Sequence, residues 1–589
     1  IGVMGGGINA LRGHSNIQGL TDVGLLSNRL PAYLELPKDS QLTLEQYLTE
    51  KTPKPLGPTE VNFWGNYSKF FVSFMKSMYG DKATVENNWG FDWLPKWDKT
   101  YDILQFNKMM RDGEAHGLIC QGFNPLAALP DKNAVRDGLS KLKFLVSIDP
   151  MPTETAVFWQ NHGESNDVDS SKIQTEVFRL PANCFAEENG TIVNSSRWLQ
   201  WHWAAATPPA EAKYDPEIIA RIFLRIKELY EEEGGPCQEP IQNLTWNYKI
   251  PDEPSAEELA KEYNGYALTD LKDANGNITV KKGQLLNSFA QLKADGSTSS
   301  GIWIFCGCWT EQGNQMARRD PTDPSGKGIH ADWAWAWPAN RRILYNRASA
   351  DANGKAYDSN RLLVEWNGER WTGNDIPDFT ANLSPSEGAG AFIMNNDGLG
   401  GLFCLNRLVD GPFPEHYEPF ETPIATNPLH PKQINSPAAR VFAEDLTRLG
   451  KAEQFPYVGT TYSITEHFHF WTQHVKLNAI IQPQQFIEIS ENLANQKGIK
   501  VGDTVKVSSN RGYIKAKAVV TKRLPTLTVD GKQIETIGIP IVWGFTGQTQ
   551  KGFLVNELTP HLGDANSQTP EYKTFLVNVE KVSAETSPV

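Results

Sequence analysis

Four stretches of this chain bring together residue types that could do chemistry. The first is Gly5-Gly6-Gly7-Ile8-Asn9-Ala10-Leu11-Arg12-Gly13-His14-Ser15-Asn16-Ile17-Gln18-Gly19. Glycines let a backbone approach a ligand closely and present its N–H groups. The amides and Ser15 add neutral hydrogen bonds, and Arg12 adds a planar two-pronged fork suited to a carboxylate. The same spacing also describes a surface turn that happens to contain an arginine. The second stretch pairs Gly122-Phe123-Asn124-Pro125 with Ser147-Ile148-Asp149-Pro150-Met151-Pro152-Thr153-Glu154-Thr155. Each half sets polar residues and a proline where a strand should end, the edge at which open α/β sheets bind ligands. Asp149 has the chemistry to accept from the N–H groups of a purine edge, although a strand-end Asp-Pro is also an ordinary turn.

The third stretch, Thr460-Thr461-Tyr462-Ser463-Ile464-Thr465-Glu466-His467-Phe468-His469, offers hydroxyl and imidazole groups to phosphates or a polar heterocycle. His467 and His469 would share one face of a strand, but no third protein ligand is evident near them in sequence, so no metal site is read in this chain. The fourth combines Trp543-Gly544-Phe545 and Leu558-Thr559-Pro560 with the polar run Asp564-Ala565-Asn566-Ser567-Gln568-Thr569-Pro570-Glu571-Tyr572-Lys573. That run is either an ordinary loop or a second nucleotide-facing surface. Of six cysteines only Cys306 and Cys308 are close together, and C-x-C has neither zinc nor iron–sulfur spacing. Buried, inert thiols are the expectation.

The elements that must position these residues read as α/β first and β later. An apolar strand over 143–148 ends at Asp149, after a helix-spaced segment over 133–142. Residues 40–110 are rich in aromatics and predict a mostly helical insertion or lid. A helix over 216–232 has Asp215 as cap, Pro216 at its first position and Gly234-Gly235 as its stop. The long segment 240–430 is loop-rich and Trp-rich, and a further helix is expected over 437–449 with Ser436 as cap. Beyond it, strands over 504–509, 513–521, 537–543 and 574–582, with one helix over 484–496, predict a compact β-barrel. The domains expected are therefore 1–205 (α/β, with the helical insertion), 206–440 (α/β and loops) and 441–589 (barrel).

A chain of 589 residues is too long for one core. Its 40 % apolar and 21 % charged residues are those of a globular protein. The net charge of −13 argues against nucleic acid or an anionic membrane as a broad partner. A small anionic substrate needs only one or two cations in a pocket and stays open. No run of 18 apolar residues suggests a bilayer span.

Taken together, the four stretches resemble the catalytic subunit of formate dehydrogenases in the dimethyl-sulfoxide-reductase superfamily, in its respiratory or periplasmic branch. The likeness is collinear over residues 1 to about 582. It is carried most clearly by 7–22, by Gln315-Met316-Ala317-Arg318-Arg319-Asp320, Trp333-Ala334-Trp335-Ala336-Trp337-Pro338 and 412–423, and by the run 566–573. The resemblance implies dinucleotide-binding-like α/β domains with a long Trp-rich insertion and a C-terminal six-stranded barrel of the double-psi type. It implies two molybdopterin guanine dinucleotides on molybdenum or tungsten, formate oxidised to CO2 or the reverse, and electrons passed to an iron–sulfur partner subunit. Arg12, beside Gly13, matches the position that orients formate. Gly122, Asn124, Asp149 and Thr153 match positions near one guanine dinucleotide, and Thr460, Thr461, His467, Asn566, Gln568, Tyr572 and Lys573 match barrel positions on the second pterin side. The family's [4Fe–4S] cysteines and its selenocysteine or cysteine metal ligand are not in this sequence. The expectation is that they lie upstream of Ile1, that this chain resembles the C-terminal portion of such a subunit and is inactive alone, and that the whole is periplasmic. Two other readings follow from the same residues: a nitrate, thiosulfate or S-oxide reductase of the same superfamily, or a carbohydrate-binding protein using its 18 tryptophans.

Overall fold

The computed structural model describes residues 9–55, 59–388, 392–393, 408–409, 415–427 and 429–583. The chain forms two compact units that interleave in sequence: 1–100 with 183–401, and 101–182 with 402–589. Sequence order suggested consecutive blocks, but segments far apart in the chain complete each unit. Among the described residues no helix is long and apolar enough to cross a membrane.

The second unit holds most of the expected site residues. Helix α1 (Ile103–Asp112) starts on Asp102, whose carboxylate accepts from the amides of Leu104 and Gln105, and stops at Gly113 in the left-handed region. Strand β1 (Gly117–Gln121), helix α2 (Lys132–Leu139), β2 (Phe144–Asp149) and β3 (Glu176–Pro181) follow. The three strands form a parallel sheet in the order β1-β2-β3. The helix expected over 133–142 and the strand over 143–148 are thus α2 and β2. Parallel strands need crossovers, and here the crossover helix buries Val135 and Leu139 against Leu145 and Phe158.

The rest of this unit is a closed barrel of β4 (Tyr457–Tyr462), β5 (Phe486–Ser490), β6 (Thr504–Ser508), β7 (Tyr513–Thr521), β8 (Thr536–Pro540) and β9 (Phe575–Lys581), in the order β4-β8-β5-β7-β6-β9. Two pairs, β4–β8 and β5–β7, are parallel and the others antiparallel. Alternate side chains point inward: Val505 and Val507, then Ile514, Ala516 and Ala518, join Ile487, Ile489, Ile537, Ile539 and Phe575 in one core. Removing each large aliphatic side chain from water contributes about 1.5–3 kcal/mol.

Two expected helices are corrected here. Residues 486–490 are strand β5, and only Glu491–Lys497 is helical, because Ser490 caps that helix through the amide of Leu493. The apolar residues Phe486, Ile487 and Ile489 are needed at the barrel wall rather than along a helical stripe. Residues 437–449 form a two-residue strand, Arg440–Val441, paired with Leu562–Gly563, and then a 3-10 helix, Ala443–Arg448. Long-range partners outweigh helical spacing there: Arg440 binds Asp102 and Gln105, and Asp445 binds Arg111 and His561.

In the first unit, the aromatic stretch read as an insertion or lid is the interior. The helix Tyr67–Tyr79 buries Phe70, Phe71, Phe74 and Met75 with Tyr47, Phe91 and Trp303. Phe70 stacks on Trp303 at 4.0 Å between ring centroids. The helix expected over 216–232 spans Asp215–Glu233 with Pro216 in its first turn. Asp215 is its first residue and Tyr214 the residue before it, one position from the expected cap. Cys306 and Cys308 are buried free thiols, as is Cys120 in the second unit, whereas Cys184 is half-buried and Cys237 exposed, against the expectation of burial.

Candidate functional site

The carboxyl edge of the parallel sheet is where the second stretch converges. β1 ends at Gln121, and Gly122 follows at φ +60° with open space where a Cβ would stand. A side chain is disfavoured by that backbone rather than by crowding. At the end of β2, Asp149 is buried and accepts from Ser147 Oγ at 2.8 Å. The apolar side chains of Phe123 and Met151 stand exposed beside this edge. Burial, and then the nearby Asp149 charge, push the Cys120 thiol up to about 12, so it stays protonated at neutral pH.

Behind the edge lies a buried polar knot that joins sheet and barrel segments. Asn124 is fully buried: its Nδ2 donates to Glu154 Oε2 (2.7 Å), and its Oδ1 accepts from the Thr155 amide and hydroxyl (3.2 and 2.7 Å). Glu154 also accepts from Gln473 Nε2 (3.0 Å) and the Thr546 hydroxyl (2.7 Å). Thr153 is buried and caps the following turn, its Oγ1 accepting from the Ala156 amide. Nothing in the sequence around Glu154 assigns it a role. Its partner Gln473 is 319 residues away, so no local spacing could disclose the pair.

On the barrel side, Thr461 and Lys573 tie β4 to the final loop. Thr461 Oγ1 donates to the Tyr572 carbonyl (2.8 Å), and Lys573 Nζ to the Thr461 carbonyl (2.7 Å). The Tyr572 hydroxyl donates to the Ala128 carbonyl (2.8 Å), bringing this loop to the helical turn after Asn124. Thr460 is half-buried on β4 opposite Gly538. His467 is buried with both ring nitrogens engaged, Nδ1 with Thr472 Oγ1 (3.0 Å) and Nε2 with the Gln482 carbonyl (2.8 Å).

The run 564–573 is a built turn. Asp564 accepts from the amides of Asn566 and Ser567, and Asn566 Oδ1 accepts from the Val409 amide (2.7 Å). Gln568 sits at φ +57°, donates to the Ala565 carbonyl (3.0 Å), and has a buried Oε1 with no partner. Next to it, Glu571 Oε2 is also buried and unpartnered. Burial, then the charges of Glu421 and Asp564, push the Glu571 carboxyl up to about 7. Strained backbone and unmet polar groups concentrate at ligand sites.

The first stretch belongs to the other unit. Gly5, Gly6, Gly7 and Ile8 lie outside the described residues, as do Pro412, Phe413 and Pro414. Arg12 is exposed: its amide donates to Ser195 Oγ (2.9 Å) and its Nη1 to the Ala10 carbonyl (3.0 Å). Gly13, also exposed, has open space around it. The structure thus gathers Gly122, Asn124, Asp149, Thr153, Thr460, Thr461, His467, Asn566, Gln568, Tyr572 and Lys573 in one unit and sets Arg12 and Gly13 in the other. Among the described residues, no group of three His, Cys, Asp or Glu side chains could hold a metal ion.

Known proteins are similar in sequence to nearly the whole of this chain. Along 99 % of its length the chain is 65 % identical to the formate dehydrogenase-O major subunit of Escherichia coli (strain K12), covering 57 % of that protein. It is 62 % identical, with the same coverage, to the nitrate-inducible formate dehydrogenase major subunit of that organism. The chain therefore spans little more than half the length of the curated relatives it matches. Acetylene hydratase from Pelobacter acetylenicus aligns in structure at a TM-score of 0.40 and 12 % identity, over 89 % of this chain and 51 % of that one. Within the chain, residues 457–576, which run from β4 into β9, match the Molydopterin dinucleotide binding domain family.

Proposed function

We propose that this chain is the cofactor-holding part of the catalytic subunit of a formate dehydrogenase. The observation that carries this is the collinear similarity to two formate dehydrogenase major subunits over 99 % of the chain. The match of the barrel segment to a molybdopterin dinucleotide family supports it. The residues present fit such a group. Gly122 offers an open backbone approach at the carboxyl edge of a parallel sheet, and Gln568 Oε1 is a buried acceptor still lacking an N–H donor. Gly122, Asp149 and Thr153 would hold one guanine dinucleotide. Thr460, Thr461, Gln568, Tyr572 and Lys573 would line the second pterin side. Asn124 and His467, whose polar atoms are engaged within the chain, would fix the shape of the site.

When bound, a molybdenum or tungsten pterin would take up the two electrons released as formate becomes CO2 and a proton. Arg12 would receive the substrate: its fork can donate to both carboxylate oxygens, each charge-assisted hydrogen bond contributing about 1.5–3 kcal/mol. The second dinucleotide, the [4Fe–4S] cluster, the selenocysteine or cysteine ligand and an iron–sulfur partner subunit belong to the same proposal and rest on the resemblance. So do the double-psi crossing of the barrel and a periplasmic location, which cell fractionation checks.

The test is formate-dependent reduction of a viologen dye, without oxygen, by the native complex containing this chain. Activity is the expected result, and Arg12→Lys, which cannot form the fork, should raise KM and lower kcat/KM about tenfold or more. Unchanged kinetics in that variant would remove Arg12 from the site. An inactive complex that still releases guanine nucleotide on denaturation would keep the cofactor and overturn formate as substrate.

A further inference from the structure

Glu154 is fully buried and receives four donors, none of them charged. Its Oε2 accepts from Asn124 Nδ2 (2.7 Å), and its Oε1 from Gln473 Nε2 (3.0 Å) and from the hydroxyl and amide of Thr546 (2.7 and 3.3 Å). The far end of each side-chain amide holds a backbone N–H. Asn124 Oδ1 accepts from the Thr155 amide and hydroxyl, and Gln473 Oε1 accepts from the Gly544 amide (3.1 Å). The Thr155 hydroxyl in turn accepts from the Leu126 amide (2.9 Å). Asn124, Leu126, Thr155 and Gln473 are as buried as Glu154, so solvent does not replace a missing partner. Gly544 keeps the space for the carboxylate, since a Cβ there would collide with Glu154 Oε1.

A side-chain amide can lie either way round, one end donating and the other accepting, whereas an ionised carboxyl accepts at both ends. Glu154 therefore admits one direction of each amide. Both NH2 groups turn toward it, and both carbonyl ends turn outward to the backbone. Asn124 and Thr155 lie beyond the ends of β1 and β2, and Gly544 lies beyond the end of β8. We propose that Glu154 is a positioning residue: its carboxylate locks Asn124 and Gln473 in one direction and, through them, holds the segments of Thr155 and Gly544 in the arrangement that shapes the cofactor-holding edge. This deepens the cofactor reading above and rests on it for what the edge holds. A glutamine at this place would break the pattern in a definite way. Oε1 serves three donors and Oε2 one, so the new NH2 would take the Oε2 place and face Asn124 Nδ2. Asn124 would have to turn over, leaving the buried Thr155 N–H without an acceptor. Adding Asn124→Asp restores every pair with the total charge unchanged, because the new carboxylate accepts from the new NH2 at one end and from Thr155 at the other.

The test compares Glu154→Gln, Asn124→Asp and the double variant by two readouts. In the full chain, hydrogen exchange read by mass spectrometry should quicken about tenfold at Thr155 in Glu154→Gln, and far less at Gly544, whose acceptor stays in place. In the native complex the same variant should release guanine nucleotide about tenfold faster. Asn124→Asp sets two carboxylates against each other and should be at least as impaired, while the double variant should recover most of both losses. Equal quickening at Thr155 and Gly544 would mean general loosening and would overturn the proposal. So would a native exchange rate at Thr155 in Glu154→Gln, or a double variant no better than the single ones. Quickened exchange at Thr155 with native nucleotide release would overturn the positioning of the edge. If Glu154→Gln does not fold, a folded double variant supports the lock and an unfolded one overturns it. A native complex without guanine nucleotide would overturn the cofactor reading, and exchange at Thr155, which needs no cofactor, would still decide on the lock.

Discussion

At the scale of single residues, the second unit depends on a few buried carboxylates that differ in how well they are satisfied. Glu154 meets the amides of Asn124 and Gln473 and the Thr546 hydroxyl. Glu154→Ala would strand the buried donors of Asn124 and Gln473 and the half-buried Thr546 hydroxyl, so stability should fall by about 2 kcal/mol or more, read from denaturant unfolding. A loss under about 1 kcal/mol would mean that water replaces the carboxylate. Asp445 and Glu571 should shape the pH dependence in opposite senses. Asp445 is buried; burial alone would raise its carboxyl, but hydrogen bonds from His561 and Arg111 hold it near 2, below its ordinary 3.8. A depressed folded value contributes stability above the unfolded value and loses it as pH falls. The gap between native chain and Asp445→Asn should therefore narrow by roughly 2 kcal/mol between about pH 5 and pH 2. Glu571, pushed up to about 7, is the reverse: folding becomes less favourable as pH rises from the ordinary carboxylate range toward 7. Glu571→Gln should flatten that limb in a series of melts, and an unchanged slope would show that the carboxyl is not held neutral.

At the scale of elements, backbone pairing sets which residues can be changed. Gly459 on β4 faces Phe575 on β9, and a methyl added at Gly459 would stand 2.5 Å from the Phe575 ring. Gly459→Ala should cost about 1–3 kcal/mol, as overpacking does in closed cores. Phe575→Leu should recover part of that loss in the double variant, so strictly additive losses would argue against the contact. The same contrast explains what was legible in advance. β2, α2 and the helix Asp215–Glu233 declare themselves locally, through apolar period, proline position and glycine stops. β7 does so by the alternation of its first six residues, Tyr513 to Ala518. β5 does not, because Phe486, Ile487 and Ile489 answer to strands β7 and β8 and not to their neighbours in sequence. For the site, Gly122 and Asp149 were readable as the polar ends of strands. The engagement of Asn124 by Glu154 and of His467 by Gln482 was hidden, since it is settled by atoms distant in the chain or by a turn whose shape no spacing reveals.

At the scale of the molecule, each compact unit is assembled from two separated segments, and this has a consequence for folding. The three-stranded sheet of 101–182 buries Leu126, Val135, Leu145 and Phe158 against Phe545 and Leu554, which come from the far end of the chain. Its polar supports come from there too: Lys132 pairs with Glu557 at 3.2 Å, and Asp131 at the start of α2 binds Arg448. Without Phe545 and Leu554 the apolar core under this sheet would be left open to water. The barrel is different. Every strand of it has two neighbours, its apolar core comes from residues 487–579, and the fully buried Arg511 is held by Glu421 just upstream. The segment 415–583, which includes Glu421, should therefore fold when expressed by itself and give a dispersed amide NMR spectrum. The segment 101–182 should give a collapsed one and gain dispersion only when 402–589 is added. A well-dispersed spectrum from 101–182 alone would show that Phe545, Leu554 and Arg448 are dispensable. A collapsed spectrum from 415–583 would show that the barrel core needs support from 101–182. Dye-reduction assays cannot distinguish these outcomes, because a cofactor held by both segments of the unit would be lost in either case.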